Sequence, residues 1–248
     1  MVINIKQDFL MKRFVLTTIA AISLSCSANA NQVAAPTSPE DVEQTLNKVV
    51  PLPANKLFFA EDGDSTYIFS QSGRFVFTGK VYDTWQKKYI ENKADALNSH
   101  TVRLEEIGFP PELLGAIHTK QKGQVDAIVI TDPNCSACKS IYDDIEDALP
   151  DSRVAYVLTN LVGGEDSVDA ITEMYCATSD EDAVEKLKGD DDIELVYDND
   201  CDETRLLKNI QLATLLDVQR LPVVINSVGR IQQGVPADLE AFLGEGRE

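Results

Sequence analysis

Ala127-Ile128-Val129-Ile130-Thr131-Asp132-Pro133-Asn134-Cys135-Ser136-Ala137-Cys138 is the stretch on which the reading of this chain turns. Its first four residues are an apolar, mostly β-branched run of strand type. After the cysteines, Ile141, Ile145 and Leu149 fall at helical spacing. The pattern therefore sets a Cys-x-x-Cys pair where a strand hands over to a helix. The first turn of a helix has unpaired N–H groups and the positive end of the helix dipole, and both favour a thiolate at the first cysteine. A thiolate is the species that attacks disulfides, so the stretch reads as a redox dithiol.

Outward from it, the other cysteines depend on where the chain resides. Residues 1–30 read as a cleaved secretory signal: Met11-Lys12-Arg13 opens a basic stretch, 14–24 is apolar but too short to span a bilayer, and Ala28-Asn29-Ala30 is a small-x-small cleavage site. The ten residues before Met11 read as an upstream choice of start. Lipid attachment at Cys26 is the alternative, although Ser23-Leu24-Ser25 lacks the leucine three residues before the cysteine that such signals usually carry. Export removes Cys26 from the five cysteines and leaves Cys135, Cys138, Cys176 and Cys201. An even count in an oxidising compartment suggests disulfides. With only His100 and His118 as histidines and no second Cys-x-x-Cys, zinc ligation is disfavoured.

The formal charge is −19, and removal of residues 1–30, with Lys6, Lys12 and Arg13 against Asp8, makes it more negative. Such acidity argues against nucleic acid and anionic membrane surfaces as partners, and its bland account is solubility. No stretch after the signal is long and apolar enough to insert stably in a membrane.

The remainder divides by pattern. Residues 31–85 hold a small-residue leader at 32–37, then Ser38-Pro39-Glu40-Asp41 as a helix start with Val42, Leu46, Val49 and Val50 on one face until Pro51. Strand-like pieces follow at 57–59, 66–69, 75–77 and 81–82, separated by Asp62-Gly63-Asp64 and Ser72-Gly73. This unit is too small to bury a good core alone, so it is a candidate oligomerisation module, or else it packs on its own chain. Residues 86–119 read as a linker region: a polar, helix-prone stretch to Ile107, a stop at Gly108-Phe109-Pro110-Pro111, and a short helix at 112–119. From 120 to 248 strand and helix alternate as in an α/β sheet. The predicted order is strand 127–131, one helix from the dithiol to Leu149, strand 154–158, helices at 168–176, 179–187 with Ser179 and Asp182 as a capping box, and 203–218, strands 223–225 and 231–233, and a helix at 238–243.

Leu221-Pro222 opens the apolar run Val223-Val224-Ile225. A proline opening a strand well downstream of a Cys-x-x-Cys is the sequence shape of the thioredoxin superfamily, where that proline is cis and faces the dithiol; an X-Pro bond adopts cis at a cost of only about 0.5–1 kcal/mol. Ile130-Thr131-Asp132, Met174-Tyr175-Cys176-Ala177, Asp200-Cys201-Asp202 and Leu221-Pro222-Val223-Val224 together resemble the DsbC/DsbG family of exported disulfide isomerases, on the DsbC side. The resemblance covers nearly the whole mature chain. It implies an α+β protein with a C-terminal thioredoxin-like domain carrying a helical insertion, joined by a linker helix to a small N-terminal cystatin-like dimerisation domain. Two positions depart from the family pattern: Ser136-Ala137 stands where Gly-Tyr is usual, and Leu221 where threonine is usual.

The resemblance implies a periplasmic thiol:disulfide isomerase and reductase needing no cofactor and no metal. Cys135 would be the exposed nucleophile and Cys138 the resolving thiol, Leu221 and Pro222 would position substrate, and Cys176 with Cys201 would form a structural disulfide. Lys139 would add slight support to the thiolate and Asp132 would oppose it. The implied partners are misfolded disulfide-containing exported proteins, a membrane-bound thiol reductant of the DsbD type, and a second copy of the chain. Three alternatives stand beside this: an oxidase or sulfenic-acid reductase using the same dithiol, a non-enzymatic chaperone, and a second redox pair at Cys176 and Cys201.

Overall fold

The computed structural model describes residues 48–54, 56–63, 65–198, 200–202 and 204–246. The signal, Cys26, the leader and the expected first helix up to residue 47 lie outside them. Val49 and Val50, expected as the end of that helix, instead begin β1 (Val49–Pro51), which pairs antiparallel with β2 (Leu57–Asp62). β3 (Ser65–Ser70) and β4 (Val76–Phe77) complete a sheet in the order β1-β2-β3-β4. Alternation puts Val50, Phe59 and Ile68 on one buried face, where they cluster with Leu52, Ile90 and Ala96. The expected pieces at 57–59, 66–69 and 75–77 are thus strands of one sheet, whereas Val81–Asp83 (β5) leaves it to form a separate hairpin with Lys88–Ile90 (β6).

The linker is far less helical than its composition suggests. Within 86–119 the described α-helix is α1 (Lys93–Asn98), six residues long, capped by the Asn92 side chain accepting from Asp95 N–H. The buried apolar residues between 86 and 107, Ile90, Ala96, Val102 and Leu104, fit no single helical stripe. After α1 the chain runs extended against a distant hairpin: Val102 N–H donates to the Gly229 carbonyl (2.7 Å) and Ile231 N–H to the His100 carbonyl (2.8 Å). Gly229, at φ +82°, is required there, since a Cβ would sit 2.3 Å from the Val102 oxygen. The short helix expected at 112–119 is a 3-10 turn (Pro111–Leu113) followed by a strand, β7 (Ala116–His118).

The second large sheet builds around β8 (Val125–Thr131) and β9 (Arg153–Leu158), which run parallel. β10 (Val223–Asn226) pairs antiparallel with β8, β11 (Ile231–Gln233) with β10, and β7 with β9, giving the order β11-β10-β8-β9-β7. The expected single helix after the dithiol is two, α2 (Ser136–Lys139) and α3 (Tyr142–Ala148), separated at Ser140-Ile141. Between β9 and β10 lie α4 (Glu165–Tyr175), α5 (Asp180–Lys188) and α6 (Arg205–Leu215), and α7 (Leu239–Gly244) closes the described chain. Ser179 caps α5 by accepting from Asp182 N–H, as its sequence predicts.

Both faces of β8 are buried, which is why its sequence reads as a continuous apolar run. Ala127 and Val129 pack with Ile145, Ile171, Leu187 and Leu243 from α3, α4, α5 and α7, while Ile128 and Ile130 pack with Leu212 of α6 and with Val102 and Leu104. A mixed sheet in this order, with helices on both faces and the dithiol at the end of its central parallel strand, is the expected thioredoxin-like architecture with a helical insertion.

Three tyrosines fill this core. Tyr142 and Tyr156 meet edge to face with centroids 5.3 Å apart, and Tyr142 OH pairs with Thr131 Oγ1 at 2.5 Å. Burial raises the Tyr142 phenol from its ordinary 10.0 to about 12 and pushes Tyr156 and Tyr175 upward as well. The folded state therefore keeps protons that the unfolded chain releases above pH 10, so this stability is fully present below pH 10 and is lost as pH climbs towards 12. For Tyr142 the difference amounts to about 3 kcal/mol. Urea midpoints measured between pH 8 and pH 11.5 should stay level to pH 10 and then drop steeply; a flat profile would contradict this burial.

Candidate active site

β8 ends at Thr131, and the turn after it is built by Asp132, whose carbonyl accepts from Cys135 N–H (2.9 Å). Cys135 is the N-cap residue of α2, with Sγ in the place where a capping serine oxygen would lie: it accepts from Cys138 N–H at 3.2 Å. The helix start foreseen from sequence is thus present, with its backbone donor aimed at the first sulfur. Cys135 and Cys138 form a disulfide with Cα atoms 5.2 Å apart. In this oxidised pair Cys135 is only 5% exposed and Cys138 fully buried, whereas Cys135 was expected to be open to solvent. The reason is local: its sulfur is turned inward to its bonding partner, while Ser136 and Ala137 between them are exposed.

Pro222 opens β10, and the Leu221-Pro222 bond is cis. Pairing of Val223 with Ile130 sets Pro222 across from Thr131, beside the turn that leads to the dithiol. Leu221 packs partly against both core clusters. The Pro222 carbonyl accepts from Gly234 N–H (2.8 Å), so that oxygen is already engaged within the fold.

Cys176 and Cys201 are joined, with Cα atoms 5.2 Å apart, in the helical insertion. Cys176 is the C-cap of α4. Helix carbonyls and the negative end of the dipole gather there, which disfavours a thiolate, the reverse of the setting of Cys135. Ser167 near the other end of α4 reaches the turn before the dithiol, and nine residues of helix separate it from Cys176 by roughly 13 Å.

Asp132 plays a part that local sequence reading missed. It is completely buried, yet its carboxylate accepts from Asn134 N–H (2.8 Å), Val162 N–H (2.8 Å), Gly163 N–H (3.0 Å) and the Ser167 hydroxyl (2.6 Å). Asn134 Nδ2 donates to the same hydroxyl at 2.8 Å. The carboxylate thus fastens the 160–164 loop and the start of α4 to the approach to Cys135. Gly163 is needed because a Cβ there would meet Ser167 Oγ at 2.1 Å and the Asn134 side chain at 2.4 Å. The local signal was Asp-Pro-Asn, an Asx turn closed by Asn134 N–H on Asp132 Oδ1.

Among the described residues no cluster of three or more His, Cys, Asp or Glu is arranged to hold a metal, and no helix is long and apolar enough to cross a membrane. His118 pairs with Asp180 instead, Nδ1 to Oδ2 at 3.1 Å.

No protein-family model and no curated protein sequence matches the chain. Among solved structures it is similar to a disulfide interchange protein from Neisseria gonorrhoeae, at 19% identity over 54% of this chain and 96% of that one, with a TM-score of 0.43. It is similar to the catalytic domain of Proteus mirabilis ScsC at 18% identity, covering 53% of this chain and 88% of that one, TM-score 0.38. For Helicobacter pylori DsbG the figures are 16% identity, 75% and 97% coverage, and a TM-score of 0.35.

Proposed function

We propose that the chain is a periplasmic thiol:disulfide oxidoreductase that rearranges wrong disulfides in exported proteins, acting as isomerase and reductase through Cys135 and Cys138. The observation that carries this reading is the Cys135 sulfur at the N-cap of α2, facing the Cys138 N–H. In the reduced state the same donor stabilises the Cys135 thiolate. That thiolate attacks one sulfur of a client disulfide; the client S–S bond breaks, a Cys135–client bond forms, and the freed client sulfur leaves as a thiolate. If that client thiolate attacks elsewhere in its own chain, and a client sulfur finally displaces Cys135, the client leaves rearranged. If Cys138 attacks Cys135 instead, the client leaves reduced and the pair becomes the disulfide. Cys138 is fully buried, so it resolves the adduct from within and does not meet clients directly. A membrane-bound dithiol reductant of the DsbD type would restore the reduced pair.

A homodimer formed through the N-terminal sheet belongs to this reading. β4 is an edge strand paired to β3, and its Val76 and Phe77, with Phe75 just before it, are exposed. Bare apolar edges are sites for pairing with another chain. Two dithiols held across one client would favour rearrangement over release.

The reading is tested by refolding a scrambled multi-disulfide protein with the reduced chain and with a Phe75→Ser/Val76→Lys variant. The unmodified chain should sediment as a dimer and restore the native pairing. The variant should sediment as a monomer and isomerise severalfold more slowly while still reducing oxidised glutathione. A chain that only oxidises reduced clients, or a dithiol found oxidised at the poise of its compartment, would overturn the isomerase assignment.

A further inference from the structure

We propose that Leu161 and Val162, pinned beside the dithiol by the buried Asp132 carboxylate, form a contact that selects an apolar chain segment next to the client's disulfide. This inference rests on the oxidoreductase reading and adds a client chemistry to it. β8 has β10 on one side and β9 on the other. Pro222 therefore flanks the dithiol turn from the β10 side, and the 160–164 loop that follows β9 flanks it from the other. That loop lies directly against Asn134, the residue before Cys135, since Gly163 has no room for a Cβ between the Asn134 and Ser167 side chains.

Within it Leu161 is 47% exposed and Val162 57% exposed. Scattered exposed aliphatics are ordinary, but these two are held in place from both ends. Upstream, Thr159 N–H and its hydroxyl donate to the Thr131 carbonyl (2.8 and 2.9 Å); downstream, Val162 and Gly163 N–H donate to Asp132. A loop fixed before the client arrives loses little freedom on binding, which is the condition under which a small apolar contact yields affinity.

The occupant is set by the chemistry of the neighbouring sulfur. A disulfide that reaches Cys135 brings with it the polypeptide on either side of the client cysteine, and one of those flanks crosses Leu161 and Val162. Cysteine is among the residue types most often buried in folded proteins, so in a chain not yet folded the segments around it include core-forming, apolar residues. Glu165 and Asp166, exposed at the start of α4 immediately after the loop, repel acidic flanks. The surface therefore suits an extended apolar stretch and discriminates against acidic ones.

The experiment uses the full mature chain, reduced with dithiothreitol and desalted, and two disulfide-containing peptides identical except for leucine or serine at the positions flanking cysteine. Rates of peptide reduction are read by acid quench and chromatography, each relative to the rate with oxidised glutathione. The unmodified chain should prefer the leucine peptide by about tenfold, the discrimination that a few methylene contacts supply. In Leu161→Ser/Val162→Ser that ratio should fall to about one. A ratio that survives in the variant, or is already near one in the unmodified chain, overturns the inference. A chain that reduces neither peptide nor glutathione disulfide overturns the oxidoreductase reading instead. Should the double variant lose its glutathione rate, Val162→Thr is read in its place, with the ratio expected to fall severalfold and an unchanged ratio counting against the inference.

Discussion

Cys135→Ala is expected to bring isomerisation and reduction of a scrambled client down to the uncatalysed rate, whereas Cys138→Ala is expected to accumulate a covalent adduct with the client. The two cysteines differ in setting and, narrowly, in access, Cys135 being 5% exposed and Cys138 not at all. Cys135 sits at the cap of α2, where the Cys138 N–H supports its ionised form, and Cys138 is sealed beneath it. With Cys135 gone no activated sulfur is left for the client. With Cys138 gone the first attack proceeds and the internal resolving step is lost, so the adduct persists until another thiol releases it. Non-reducing electrophoresis after quenching with acid reads both outcomes. An adduct formed by Cys135→Ala and absent from Cys138→Ala would reverse the assigned roles.

The second large effect falls on stability. Asp132→Ala removes one acceptor group and strands three backbone N–H groups and the Ser167 hydroxyl in or near the interior. An unsatisfied buried donor costs about 1–3 kcal/mol, and partial access to water at the loop reduces that for some of the four, so a loss of about 3–5 kcal/mol is expected. Against a typical total of about 5–15 kcal/mol this is a large fraction. Asp132→Asn keeps one acceptor oxygen and turns an amide NH₂ towards donors it cannot accept from, so its loss should be about half as large. Urea unfolding followed by circular dichroism gives both values. A shift below about 1 kcal/mol for the alanine variant would mean that water replaces the carboxylate without difficulty.

What could be read from the sequence was whatever is written locally. The run from Ala127 to Ile130 changes to helical spacing within one turn of Cys135, so the strand, the dithiol and the following helix were legible together. Pro222 before Val223-Val224-Ile225 was legible for the same reason, as was Ser179 capping α5. The split between α2 and α3 was hidden, because Ile141 keeps the apolar spacing across the break. The stretch from Trp85 to Ile107 was misread for a different reason. Its polar, helix-forming composition is real, but His100 and Val102 take hydrogen bonds with Ile231 and Gly229, residues far along the chain. β7, three residues long, depends on pairing with β9 rather than on any pattern of its own. Asp132 looked from sequence like a charge that merely opposes the thiolate, since three of its four donors come from Val162, Gly163 and Ser167.

The crossing of residues 100–102 over the Gly229–Ile231 hairpin carries a further consequence. β11 ends the sheet that holds the dithiol, and a bare margin there would offer hydrogen-bonding groups to any extended polypeptide nearby. The chain lays its own backbone along that margin: Thr101 bridges Arg230, and His100 and Val102 bond on either side. The segment covers the hairpin end of the rim, and Gln232 and Gln233, the two β11 residues left towards the dithiol, are too few for a half-folded guest to graft itself on as an additional strand.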